Sequence, residues 1–195
     1  MKYDDLQRFS EKPFFAIENI ADLLDITIPS ARVLAARYAK RGIFIRLKKN
    51  LYLTDQRWRN SSRDDLLKIA NFIQVPSYIS FMTALSLYEV TTQVQRDFIE
   101  SASLKRSAHF NVKGTLFNYY KMKREYYFDF ERRDGLFIAT REKAFADMVY
   151  LYSLGRYSID LSSLDMAKLD KKKLRKIISV FPRRTKEVIS RICKI

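Results

Sequence analysis

The chain has 195 residues, 47% apolar and 30% charged, enough to bury a substantial core in one large domain or two small ones. Thirty-seven Lys and Arg against 22 Asp and Glu leave a formal charge of +15, so anionic polymers are its natural partners, through long-range attraction and counterion release. A single cysteine, Cys193, and a single histidine, His109, exclude an intramolecular disulfide and a soft-ligand zinc site; with no bilayer-length apolar run and no signal-like stretch, the expectation is a cytoplasmic protein without membrane, metal or cofactor.

Residues 3 to 10 place Tyr3, Leu6 and Phe9 at helical spacing, predicting a short first helix with a narrow inner face. After Pro13, Phe14 and Phe15 form an extended lead into IENIADLLDI. There Ile17, Ile20, Ala21 and Leu24 make one apolar stripe, and Glu18, Asp22 and Asp25 fall opposite. An acidic outer face suits phosphate poorly, so this helix is expected to support rather than bind. The next helix has Thr27 or Ser30 as N-cap, Pro29 in its first turn and Lys40-Arg41-Gly42 as its stop. Ala31, Leu34, Ala35 and Tyr38 repeat at i, i+3, i+4 and i+7 and face inward, which turns Ser30, Arg32, Val33, Ala36, Arg37, Lys40 and Arg41 outward. IFIRLKKNLYL then alternates, turns at Lys48, Lys49 and Asn50, and returns as a basic hairpin. Asn50 tolerates the left-handed conformation of a tight turn.

Charge is segregated along this stretch. Residues 1–31 hold three Lys/Arg and six Asp/Glu, whereas residues 32–59 hold nine Lys/Arg and only Asp55. Acidic support helix, basic helix, glycine stop and basic hairpin follow in the order of a winged helix-turn-helix, expected over residues 1–59 with double-stranded DNA as partner. An ordinary surface helix with solvated charges is the plainer reading of the basic helix alone, and the order of elements argues against it. A recognition helix reads bases chiefly from its N-terminal half, which assigns base reading to Ser30, Arg32 and Val33, with Arg37 next. Lys40, Arg41, Arg46, Lys48 and Lys49 are assigned to the DNA backbone, the two lysines at the tip of the wing.

Residues 55–65, DQRWRNSSRDD, lack apolar periodicity and read as a linker into a second domain, 60–195. Leu66, Leu67, Ala70 and Ile73 predict a helix; PSYISFMTALSLYEV predicts an extended piece after Pro76 and a helix from Ser80 to Tyr88. Between 97 and 139, DFIESAS, HFNV, TLFNYYKM, YYFDFE and GLFIAT are short aromatic and β-branched runs separated by turn clusters, the pattern of a mainly antiparallel sheet. Thr140 caps a helix with Ala144, Phe145, Met148, Val149 and Leu151 on a broad apolar face. LDKKKLRKIISVF and TKEVISRICKI follow as two helices broken by Pro182. The expected fold class is α+β: a winged helix-turn-helix, then an α+β domain whose sheet is flanked by helices.

Three segments carry a family resemblance. GIFIRLKKNLYL, PSYISFMTALSLYEV and FIATREKAFADMVYL resemble, in order and spacing, the wing, the PSYIS helix start and the A-x-x-EKA-x-x-D-x-x-YL helix of AbiEi-type antitoxins. The likeness covers nearly the whole chain. It implies a transcriptional repressor and antitoxin of a phage-defence (abortive-infection) system. The winged helix would autoregulate the operon at inverted repeats in promoter DNA, and the second domain would counteract a nucleotidyltransferase toxin, with direct contact left open. Asn50 stands where the family commonly has Gly; both tolerate the turn, so no consequence is expected.

Enzyme chemistry finds few convergent groups. His109, in a basic strand-like stretch, reads as an exposed or packed imidazole, Cys193 beside Ile192 as an inert thiol, and isolated Gly114, Gly135 and Gly155 form no phosphate-cradling loop. The competing reading is a metal-dependent DNA nuclease with a winged-helix targeting domain; a stand-alone regulator is another. Asp129, Glu131 and Asp134 cluster, but the only Asp-x-Lys spacing, Asp170 to Lys172, lies far away, so solvated carboxylates are the simpler account. Residues 101–124 carry Lys105, Arg106, Lys113, Lys121, Lys123 and Arg124 without an acid, interleaved with Phe117, Tyr119 and Tyr120. A single-strand or RNA platform is one reading, and aromatics buried on one face of a sheet are the commoner one. Near the C-terminus Leu174, Ile177, Ile178 and Phe181 form a buried stripe that leaves Lys171, Lys172, Arg175 and Lys176 outside. These four with Lys121 and Lys123 form a candidate secondary surface for nucleic acid or a partner.

Overall fold

The computed structural model describes residues 3–93 and 95–194, with side chains from residue 7 onward; the inner face expected from Tyr3 and Leu6 lies outside the described residues. Among the described residues the fold is α+β, with nine α-helices and two sheets, and the chain divides into two compact units between Ile69 and Ala70. No helix among them is long and apolar enough to cross a membrane.

The first unit contains α1 (Tyr3–Glu11), α2 (Ile17–Leu24), α3 (Ile28–Lys40), a hairpin of β1 (Phe44–Lys48) and β2 (Leu51–Thr54), and α4 (Asp55–Arg59). Its core is aromatic. The Phe9 and Phe15 rings lie 4.5 Å apart, and Phe44 sits 4.9 Å from Phe15 and 5.4 Å from Tyr38. Each fully buried apolar side chain of this size stabilises by about 1.5–3 kcal/mol, and a unit this small depends on a few such rings. Phe15 exchanges both backbone hydrogen bonds with Tyr52, at 2.7 and 2.8 Å, so the extended lead into α2 is clamped to the hairpin. Residues 55–59 are helical where the sequence reads as a linker. Thr54 Oγ1 accepts from the Arg57 N–H (3.1 Å) and Arg59 pairs with Asp55 one turn back (2.6 Å), so a cap and an ion pair hold a turn that no buried stripe marks.

Helix α5 (Arg63–Ile73) carries the division between the units. The second unit continues with β3 (Ser77–Ile79), α6 (Phe81–Leu87), β4 (Phe98–Ser103), β5 (Ala108–Val112), β6 (Thr115–Lys121), β7 (Phe130–Arg133), β8 (Leu136–Ala139), α7 (Arg141–Ser153), α8 (Lys171–Ile178) and α9 (Arg183–Cys193). The six strands lie in the order β5-β6-β4-β3-β8-β7. Three of the five neighbouring pairs are antiparallel, in line with the expected mainly antiparallel sheet, and β4 with β6 and β3 with β8 are parallel, so the sheet is also mixed. Period-2 alternation marks a strand and its faces without fixing its direction, and here the β5–β6 hairpin folds so that its second strand lies beside β4. Glu100 and Tyr120 share one face of the sheet. Phe117 and Tyr119 are buried on the other, where the Tyr119 hydroxyl donates to the Ala70 carbonyl of α5 (2.5 Å).

Among the many buried polar side chains of this unit are two clusters built on charged groups. Lys143 and Asp147, one turn apart on α7 and fully buried, form an ion pair. The ammonium also donates to the Tyr78 hydroxyl (2.8 Å), while Tyr78 and Ser80 each donate to the second oxygen of Asp147 at 2.9 Å. Phe128, Tyr78 and Phe181 surround the ammonium with ring centroids at 5.2, 5.3 and 5.6 Å. Burial draws the lysine down and the aspartate up from their ordinary ranges, against their mutual attraction. The second group is Glu100, 1% exposed, whose carboxylate accepts from the Met82 N–H (3.1 Å) and from the Tyr157 hydroxyl at 2.8 and 2.9 Å.

Burial lifts Glu100 from an ordinary 4.5 to about 7. A carboxyl raised in the folded state supports folding fully below its unfolded pKa, and that support is lost as pH rises through the folded value. Unfolding free energies of the wild type and Glu100→Gln should therefore diverge in favour of the variant by up to about 3 kcal/mol between about pH 4 and about pH 8. Urea denaturation across that range measures it, and a pH-independent difference would refute the placement of an ionisable group at Glu100.

Candidate nucleic-acid interface

Helix α3 is built to present one face. Thr27 is its N-cap, its hydroxyl oxygen accepting from the Ser30 N–H (3.3 Å) and donating to Ser30 Oγ (2.9 Å); Pro29 sits where a missing N–H costs nothing. At the other end the Gly42 N–H bonds the Ala39 carbonyl and the Ile43 N–H bonds that of Tyr38, both near 3 Å, with Gly42 at φ +73°. That pair of bonds is a Schellman stop, and the left-handed glycine within it aims the chain into β1. Ala31, Ala35 and Tyr38 are buried, which fixes the rotation of the helix.

The opposite face is exposed: Ser30, Arg32, Val33 (69% exposed), Ala36, Arg37, Lys40 and Arg41. Ser30, Val33, Arg37 and Lys40 follow at spacings of three and four, so they form a ridge along the helix, about 15 Å long at 1.5 Å per residue. Arg37 and Arg41 both lie against the Tyr38 ring, at 5.7 and 5.6 Å. Their guanidinium groups are thereby braced beside a buried residue while remaining exposed.

The hairpin places Arg46 and Lys49 on the surface and leaves Lys48 half-buried, a correction to the expectation that both lysines project at the tip. The cause is local. The register shifts between Arg46 and Lys48, a bulge that turns the strand, and Arg46 Nε donates to the Lys48 carbonyl (3.4 Å). Asn50 adopts φ +59°, as the turn demands.

Asn50 also does what the sequence does not reveal. Its carbonyl oxygen accepts from the Ile17 N–H at the start of α2 (2.9 Å), and its amide donates to the Glu18 carboxylate at 3.2 and 2.9 Å. The hairpin turn therefore caps the support helix, and the residue is not interchangeable with glycine. The Asn50 amide, Glu18's own backbone N–H and the Arg32 charge together hold the exposed Glu18 carboxyl below its ordinary value. An Asn in a turn ahead of an apolar return strand gives no sign that it reaches back 33 residues; only an unpaired helix start at Ile17 hints at a missing cap.

The remaining candidates lie in the second unit. Lys121 and Lys123 are exposed at and just after the end of β6, with Lys123 3.7 Å from Glu125 and over the Tyr126 ring at 5.9 Å. Lys171, Lys172, Arg175 and Lys176 are exposed on α8, opposite buried Leu174, Ile177 and Ile178. Phe117 and Tyr119 are core, and Tyr120 is half-buried beside Glu100, so the rings of β6 offer no open stacking platform. His109 is exposed and Cys193 buried, its thiol pushed up to about 11 by burial. Asp129 accepts from the Thr140 hydroxyl (2.6 Å), and among the described residues no three His, Cys, Asp or Glu side chains converge as metal ligands.

No protein-family model matches the chain, and no curated protein matches it. Asn50→Gly tests the lock: the turn should survive while the unit loses about 1 kcal/mol, the net worth of a typical hydrogen bond. Hydrogen exchange at the Ile17 amide should accelerate. An unchanged Ile17 exchange rate in Asn50→Gly would show that the cap contributes nothing.

Proposed function

We propose that the chain is a sequence-specific DNA-binding repressor whose first unit is a winged helix-turn-helix, with α3 as recognition helix and the β1–β2 hairpin as wing. The observation that carries this is the exposed ridge of α3, with Ser30, Val33 and Arg37 in line and Arg32 beside them, its rotation fixed by Ala31, Ala35 and Tyr38. An α-helix of this kind fits the B-DNA major groove, where guanidinium groups pair with guanine and an exposed Val meets a thymine methyl. Lys40, Arg41, Arg46 and Lys49 supply cations at the helix end and hairpin, suited to phosphates on either side. The acidic α2 lends no phosphate contact and works as the support.

The second half of the proposal is an antitoxin role in the cytoplasm. It is supported by the likeness of residues 42–53, 76–90 and 137–151 to AbiEi-type antitoxins, which implies autoregulation at inverted repeats and protection against a nucleotidyltransferase toxin. Under this reading the protein is not an enzyme and needs no cofactor.

Band-shift titrations with the DNA upstream of its own gene test the first half. Arg32→Ala or Arg37→Ala should weaken specific binding by about 1–3 kcal/mol and relax base preference, whereas Lys49→Ala should weaken all sequences alike and flatten the salt dependence. Equal binding by the wild type and the Arg32/Arg37 double variant would remove α3 from the interface. The antitoxin half predicts that a neighbouring reading frame encodes a nucleotidyltransferase whose growth arrest is relieved by co-expressing this chain, including the Arg32/Arg37 double variant. A neighbour of another kind, or arrest that persists, counts against it.

A further inference from the structure

Helix α2 and its C-cap present three exposed acids, Glu18, Asp22 and Asp25, and one of them is fixed. The Asn50 amide donates to both carboxylate oxygens of Glu18, at 3.2 and 2.9 Å, while the Asn50 carbonyl takes the Ile17 N–H. Asp22 and Asp25 have no side-chain hydrogen bond or ion pair among the described residues. Asn50 directly follows the exposed Lys49 in the hairpin turn. Arg32 lies near enough to help keep the Glu18 carboxyl ionised, after the Asn50 amide and the backbone N–H of Glu18 itself. The start of α2, the turn of the hairpin and the N-terminal half of α3 therefore meet at one exposed carboxylate.

This inference rests on the DNA-binding reading of α3: a group set between Arg32 and Lys49 faces the duplex when those two residues do. A carboxylate accepts hydrogen bonds and donates none. On the major-groove edge guanine shows the acceptors N7 and O6 and thymine the acceptor O4, so a carboxylate set against either meets lone pairs and stays unpaired. Adenine offers its N6 amino group with the acceptor N7 beside it. Cytosine offers its N4 amino group with no acceptor beside it. The property that makes an acid a poor partner for phosphate thus makes it selective at a base edge.

We propose that Glu18 is a base-selecting residue: its carboxylate accepts from the N4 amino group of a cytosine while Arg32 beside it takes a guanine, and it turns away DNA that presents acceptors at that position. The Asn50 lock is what gives the carboxylate this power. A freely rotating glutamate swings off an unfavourable base edge at little cost, whereas one held by two contacts from the hairpin turn stays and repels. Helix α2 then contributes discrimination as well as support.

Selection of bound sites from a randomised duplex library, by the full chain and by its Glu18→Gln variant, tests it. Glutamine keeps an oxygen to accept from the Asn50 amide, so the fold and the rest of the selected sequence should not change. The wild type should select a cytosine at one position, beside a guanine that Arg32→Ala ceases to select, and should disfavour other bases there by about tenfold or more in band shifts. In Glu18→Gln that discrimination should fall below about threefold, with adenine gaining most, because a glutamine amide pairs with its N6 and N7. The variant should also bind the disfavoured sites more tightly than the wild type does, a gain that structural damage cannot give. An unchanged selected sequence, or an equal loss of preference at every position, would overturn the inference while leaving α3 in place as recognition helix. If the wild type selects no sequence, or the same one as the Arg32/Arg37 double variant, the reading of α3 fails and this inference with it.

Discussion

The second unit depends on the buried pair of Lys143 and Asp147. An unpaired charge at full burial is ruled out by its desolvation cost, so every neighbour must supply a compensating contact, and the structure shows who does: Tyr78 and Ser80 from the end of β3 and the turn after it, and the rings of Phe128 and Phe181. Strand β3, the start of α6, helix α7 and the segment after α8 are thereby held to one point. Glu142, the next buried acid on α7, extends the same logic by accepting from the Asp170 N–H at the start of α8 and pairing with Lys173 at 3.4 Å.

This network also bears on the family likeness. Tyr78 and Ser80 belong to the PSYIS segment, and Glu142, Lys143 and Asp147 to the EKA-x-x-D segment. The residues that make the two segments recognisable meet in the interior and specify packing. The likeness therefore rests on residues that build a core, and the proposed activity has to be sought among exposed residues. In the first unit the exposed and diagnostic residues coincide, because the basic face of α3 is both the sequence signal and the surface.

Legibility followed the kind of force involved. The stripes of α2 and α3, the Thr27 and Thr140 caps and the left-handed Asn50 are local and periodic, and the residues display them directly. Strand direction in the mixed sheet depends on which strands meet after long connections, which no short pattern encodes. The buried Lys143 and Asp147 look like an ordinary i, i+4 surface pair, and only the apolar residues on every side, Ala144, Phe145, Ala146, Met148 and Val149, betray that their turn of helix has no solvent face. The reach of Asn50 to Ile17 and Glu18, and the half-burial of Lys48, are tertiary outcomes of the hairpin's fold.

The distribution of charge limits how specificity can arise in the proposed repressor. Phosphate attraction scales with the number of cations brought near the duplex and is blind to sequence, so under the proposal the basic residues of the hairpin would raise specific and non-specific binding together. A charge of +15 attracts any polyanion whatever its sequence. Discrimination has to come from the short list of groups that reach base edges in a fixed orientation, and orientation is what the buried side of α3 and the clamp of Asn50 on α2 provide. Loosening either would leave the charge, and hence the affinity for DNA in general, almost intact while eroding the difference between one sequence and another.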